Sequence, residues 1–332
     1  MITRLSAAAA VAFVLALLWS LPAFSHTIFD ELHYAEVLKV TLEFDLRQIR
    51  DDAELREYQT AVLRYQDREG TEREWLLEVK ARGKFRLENC DFPPLRLKFS
   101  KEELERRGYD EHNKLKLVTH CLDDRAYGRD YVLREYLTYR FLNELTPNSY
   151  RVQLVQITYQ DSEKKSRQLV RWGFILEDTD ELAERIGGEE CDCYGLHFDQ
   201  LPAENAATLQ LFQFMIGNAD WDLPSLRNVK SIRLNDSGAV VVVPYDFDFS
   251  GFVNAYYALP NPNLDQSSVR ERILVGPSPQ QEELRDACQR FVSRKQEFVR
   301  LINSMDQISR DSRNDCIDYL ESFFTRDVRG LL

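Results

Sequence analysis

A continuous apolar run, Val240 to Val243, ends in Pro244 and Tyr245 and passes at once into DFDFSG. Four consecutive valines read as a buried strand, and two carboxylates placed directly after it, Asp246 and Asp248, are unfavourable unless they line a cleft, pair or bind a cation. The chain must therefore fold so that a polar site opens at the end of a buried strand. Upstream, GNADWDLPSLRNVKSIR puts Asp220, Asp222 and Asn228 on a second polar loop, across a short β-hairpin from the first.

The preceding segment, Glu204 to Ile216, is apolar enough (LQLFQFMI) for a buried helix, and Gly217 and Asn218 stop it just before Asp220. A rigid helix feeding a polar loop is a good mount for a reacting carboxylate. On the second loop, metal ligation explains the acids economically: Asp246 is the principal ligand, with Asp248 or Asn228 completing an oxygen-rich Mg²⁺ site and Asp248 alternatively a structural acid. Phosphotransfer needs this inventory, a carboxylate to orient or deprotonate the acceptor plus an Asn and an Asp for the ions that bridge the phosphates.

Residues Met1 to Ser25 carry one basic residue, Arg4, then a long apolar run, Pro22 and small residues at Ala23 and Ser25, the layout of a secretory signal cleaved after Ser25. No later apolar run is long enough to span a bilayer. The expected location is periplasmic or secreted. A formal net charge of −12 without a basic run argues against nucleic acid as partner. Six cysteines in an exported chain favour disulfides. The expected pairs are Cys90 with Cys121, at the ends of neighbouring strands, and Cys288 with Cys316, on two C-terminal helices. Cys191 and Cys193 then remain; a CxC pair rarely bonds to itself without strain, and no CxxC or HxxxH spacing accompanies it for zinc.

Alternating side chains predict strands at Val37 to Leu46, Ala61 to Tyr65, Trp75 to Arg82, Leu95 to Phe99 and Lys114 to Thr119, then RVQLVQITY and LVRWGFILE. A long helix is predicted from Arg125 to Leu145, and further helices from Pro279 to Ser304 and Ser309 to Phe324. The fold class is α+β: an antiparallel-sheet lobe with one long helix over residues 26–177, joined to a mainly helical lobe over 178–332 that carries both polar loops.

The order GNADW, Asn228, then PYDFD resembles the pattern of the CotH-type kinases, secreted or spore-coat relatives of the protein-kinase-like fold. The resemblance implies a bilobal fold, ATP as phosphate donor with Mg²⁺ or Mn²⁺, Asp220 as base, and Asn228 and Asp246 as metal ligands. Asp222 is a second candidate for the base. VKARGKFR resembles the family's arginine-glycine turn near the phosphates, which nominates Arg82 and Gly83. FPPLRLKF resembles the strand with the ATP-contacting lysine, nominating Arg96 and, by preference, Lys98, with Glu135 as its helix partner. GFILEDTD resembles the connector at the adenine, with Glu177 beside the base. The chain departs from the pattern twice: Pro93 and Pro94 stand where the family often has lysines, and Asp220 and Asn228 are eight positions apart rather than the five of HRDxxxxN.

The leading expectation is thus an exported ATP- and Mg²⁺-dependent phosphotransferase acting on a protein or small-molecule hydroxyl. A dead, binding-only relative of such a kinase is one alternative. A two-carboxylate hydrolase, with Trp221, Tyr256 and Tyr257 lining a sugar cleft, is another. Arg270 and Arg272 either meet an anionic group or bridge surface acids.

Overall fold

A computed structural model describes residues 26–51, 53–164, 167–277 and 281–328; the segment expected to be a secretory signal, Met1 to Ser25, lies outside them. A short helix α1 (Ile28–Leu32) starts at Thr27, whose hydroxyl accepts from the Asp30 N–H while the Asp30 carboxylate accepts from the Thr27 N–H. There follow β1 (Leu38–Phe44), α2 (Leu46–Asp51), β2 (Gln59–Gln66), β3 (Glu72–Ala81), α3 (Phe85–Asn89), β4 (Leu95–Phe99), α4 (Lys101–Arg106) and β5 (Lys114–Val118). The long helix α5 (Tyr127–Leu145), β6 (Val152–Asp161), β7 (Leu169–Leu176) and α6 (Thr179–Arg185) complete the first part. Every predicted strand is present, with ends moved by up to three residues.

The sheet is mostly antiparallel, as expected, but it closes on itself through one parallel pair, which the sequence pattern does not foretell. Its strands run β1-β2-β3-β4-β5-β7-β6 and close into a barrel. Closure comes from a parallel pairing of β1 with β6, in register from Leu38 with Val155 to Phe44 with Asp161; the other neighbours are antiparallel. Parallel neighbours require a long crossover, and four strands and α5 lie between them. Alternation fills the interior: β1 buries Leu38, Val40, Leu42 and Phe44, and they meet Leu63, Trp75, Leu97, Leu117 and Ile157 in one core.

The second part adds β8 (Gly188–Cys191), α7 (Ala203–Ile216), β9 (Val229–Leu234), β10 (Val240–Pro244), α8 (Gln281–Ser304) and α9 (Arg310–Ser322). It is not purely helical, because β10, β9 and β8 form a three-stranded sheet. Helix α5 serves both parts: its Leu133, Leu137 and Phe141 pack in one cluster with Phe174 of the barrel and with Phe212, Phe291 and Phe298 of α7 and α8.

Two cysteine expectations need correction. Cys90 and Cys121 are bonded, as expected. Cys191 and Cys193, however, bond to each other, whereas Cys288 and Cys316 are free and buried. The latter two behave as small apolar side chains inside the helix core, and burial pushes the Cys316 thiol up to about 12.

Candidate active site

Helix α7 ends because Gly217 adopts φ 65°, ψ 38°, its N–H reaching back to the carbonyls of Gln213 and Phe214. A Cβ at Gly217 would lie 2.0 Å from the Tyr319 hydroxyl and one at Gly251 2.4 Å from the same oxygen. The Gly251 N–H donates to the Gly217 carbonyl at 3.0 Å. The two acidic loops therefore touch where neither has a side chain. Asn228 and Asp246 adopt left-handed φ of 54° and 63°, a region that Asn and Asp enter more readily than other side-chain-bearing residues. The conformation turns each out of the end of its flanking strand.

The amide nitrogen of Asn228 donates to the Asp220 carboxylate at 3.0 Å and to the Asp220 carbonyl at 2.6 Å. The longer spacing between Asp and Asn still brings the two side chains together, because Asp222 and Arg227 pair across a small turn. Asp220 also has Arg227 at 3.5 Å. Burial raises its pKa, with Asp248 adding to the rise and Arg227 and Asn228 opposing it. Asp246 is fixed through its backbone N–H, which donates to the Tyr139 hydroxyl oxygen on α5 at 2.9 Å.

One carboxylate oxygen each from Glu135, Asp246 and Asp248 lie within 4.8 Å of one another. Burial holds the Glu135 and Asp246 carboxyls well above the ordinary range; Asp248 pushes both further and Arg86 opposes. Asp248 accepts from Arg86 Nε and from the Tyr257 hydroxyl, both at 2.9 Å, and Arg86 Nη2 donates to Glu135 at 2.6 Å. The other Glu135 oxygen, Oε1, has no hydrogen-bond partner among the described residues. A cation would relieve crowded carboxylates that one guanidinium balances only in part, so the donor set fits an ion of the Mg²⁺ class.

Asp220, Asn228, Asp246, Asp248 and Arg86 line a cleft of about 540 Å³ together with Arg82, Gly83 and Phe249; Glu135 joins them through Arg86 and its closeness to Asp246 and Asp248. Gly83 has φ 92° and open space beside it. Arg82, half-buried, has no ion pair among the described residues; burial lowers its pKa while Asp246 opposes. Asp220, Asn228, Asp246, Asp248, Arg82, Gly83 and Glu135 thus converge.

Four nominated residues do not. Lys98 is hydrogen-bonded to Glu78 at 2.7 Å and lines a groove with Thr60 and Lys101 away from the acids, so Glu135 pairs with Arg86 instead. Arg96 is not among the residues that line the cleft, although it is near enough to lower the pKa of Arg82. Glu177 is fully buried and bonded to Arg151 and Arg185, a structural ion network. Asp222 accepts from the Ser225 N–H at 2.9 Å within its own turn. Arg270 and Arg272 bridge Asp315 and Asp327. Of the aromatics proposed for a sugar cleft, Trp221 is 2% exposed and packed in a core.

Sequence reasoning missed Arg86, since an arginine on a five-residue helix carries no pattern. It also missed Lys116, 8% exposed, whose Nζ donates to Thr179 at 3.2 Å and faces the rings of Tyr150 and Tyr245. Burial lowers its pKa to about 7, Arg82 adding to the drop.

No protein-family model matches this chain, and no curated protein matches it. Among solved structures it is similar to the crystal structure of the Helicobacter pylori proinflammatory kinase CtkA, at 10% sequence identity and a TM-score of 0.42, covering 71% of this chain and 92% of that one.

Proposed function

We propose that the chain is an exported, ATP- and divalent-metal-dependent phosphotransferase, with the barrel side and the helical side as the two lobes of a kinase-like fold. The observation that carries this reading is the meeting, in one cleft, of the bonded Asp220–Asn228 pair with Asp246 and Asp248, whose carboxylates crowd that of Glu135, and with Arg82, which has no ion pair among the described residues. Asp220 would orient and accept the proton of an acceptor hydroxyl, its side chain held by Asn228. Asp246 and Asp248 would hold Mg²⁺ or Mn²⁺ with the carbonyl oxygen of Asn228, whose nitrogen is already committed. When bound, the ion neutralises phosphate charge. Arg82 and the bare backbone at Gly83 suit phosphate oxygens. The acceptor is a protein or small-molecule hydroxyl. The Cys90–Cys121 disulfide favours an oxidising compartment, in keeping with export.

The test is a thermal-shift titration of the disulfide-intact exported chain with ATP, with and without Mg²⁺ or Mn²⁺. At a hundredfold excess over Kd, ligand binding should stabilise by about 2.7 kcal/mol and raise Tm by roughly 4 °C. Asp246→Ala should abolish the rise. Labelled γ-phosphate should then move in the parent and not in Asp220→Asn. Binding without transfer would make this a nucleotide-binding relative of a kinase; no shift with either metal would sink the ATP reading.

A further inference from the structure

A second cavity of about 330 Å³, sharing no lining residue with the acidic cleft, is lined by Asp110, His112, Glu181 and Glu184 together with Arg151 and Arg185. Ligand atoms of Asp110, His112 and Glu184 all lie within 4.8 Å of one another, and His112 Nε2 lies 2.9 Å from Glu184 Oε2. Both arginines are already paired: Arg151 with Asp30 and Glu181 of the cavity wall and with Glu177, Arg185 with Glu177 and the Ser149 carbonyl. A buried group provides an independent pointer. Glu181 is 4% exposed, and although its Oε1 accepts from Thr27 and Arg151, its Oε2 has no hydrogen-bond partner among the described residues. A buried carboxylate oxygen left so is unfavourable unless a proton or a cation meets it.

We propose that Asp110, His112 and Glu184 form a structural site for a borderline divalent cation of the Zn²⁺ class, in the cavity that the Glu181 carboxylate also lines. One imidazole with carboxylates is a donor set that Zn²⁺ accepts readily, whereas Mg²⁺ prefers oxygen donors and its own waters. The site joins two segments far apart in sequence: the loop between α4 and β5, at the barrel, and α6, which follows β7. Its occupation would fix that loop of the barrel to α6. The inference does not depend on the nucleotide reading, because it shares no residue with the acidic cleft.

Isothermal titration of the chelator-treated, disulfide-intact exported chain with ZnCl₂ tests it. The expected result is one equivalent bound, with affinity reduced about tenfold or more in His112→Ala and in Glu184→Gln, unchanged in Asp246→Ala, and not competed by Mg²⁺. Glu184 is an exposed side chain, so Glu184→Gln remains informative even if His112→Ala fails to fold. No uptake by the parent overturns the proposal. So does binding that survives both His112→Ala and Glu184→Gln, or loss of the Zn²⁺ in Asp246→Ala, which would place the ion in the acidic cleft.

Discussion

Arg86 is a single cation shared by two buried acids that come from different elements. Removing it leaves both uncompensated, so Arg86→Ala should lower stability by about 3–5 kcal/mol in denaturant titration, and added Mg²⁺ should recover part of the loss if the acids hold a cation. Lys116 invites the opposite outcome. Its folded pKa of about 7 lies below the usual lysine value of 10.5, so the unfolded chain takes up the extra proton between those values. Stability then rises with pH across that window, and the burden of the buried charge is fully present below pH 7. Lys116→Met should stabilise by an amount on the order of 1–3 kcal/mol at pH 6, the advantage shrinking as melts are taken from pH 7 toward pH 9; an advantage constant with pH would contradict the buried charge. The acidic loops were legible because DFD directly after four buried valines has few physical explanations. Lys116 was not, since KLKLV reads as ordinary alternation with lysines outward. Lys98, in the equally plausible LRLKF, was nominated for the role and instead pairs with Glu78.

Among the elements, the strands were legible because period-two burial is a strong local signal, visible in β4, where Leu95, Leu97 and Phe99 are buried and Arg96 and Lys98 half-buried. Their closure was not, because alternation says which face is buried and nothing about which strand lies alongside. The short helix α4 escaped notice although Ser100 caps it, since six residues hold less than two helical turns. The disulfides divide similarly: the apolar settings of Cys288 and Cys316 are a property of helix packing that spacing does not carry. The two bonds formed close very different loops, with sequence separations of 31 and 2. Loop-closure entropy then gives roughly 4 kcal/mol for the first and roughly 1 kcal/mol for the second. Chemical denaturation of Cys90→Ser and Cys191→Ser should show the larger loss in the former; equal losses would mean that native contacts rather than chain entropy set the difference.

At the level of the whole molecule, the division into a sheet part and a mainly helical part was legible from the order of patterns, whereas the sharing of α5 was not. Its residues are apolar on so broad a face that periodicity could not tell which part they serve, and Leu133, Leu137 and Phe141 pack with residues of both. A fragment of residues 26–177 should therefore fail to behave as an independent domain: dye binding to exposed apolar surface and the lack of a cooperative melt are expected, while the chain from residue 26 onward should unfold in one transition by two different probes. The parallel seam of the barrel has a further bearing on how such a chain comes into being. Residues emerge from the ribosome in order, so β1 is made among the first strands and can pair with β2 soon after. Its other edge has to wait for β6, with Leu38 meeting Val155. Until then the growing chain presents an open strand edge to its surroundings, the kind of edge that recruits foreign strands. The first strand to appear is thus among the last to be covered, and a chain halted before residue 152 would have its barrel incomplete and neither acidic loop to guard.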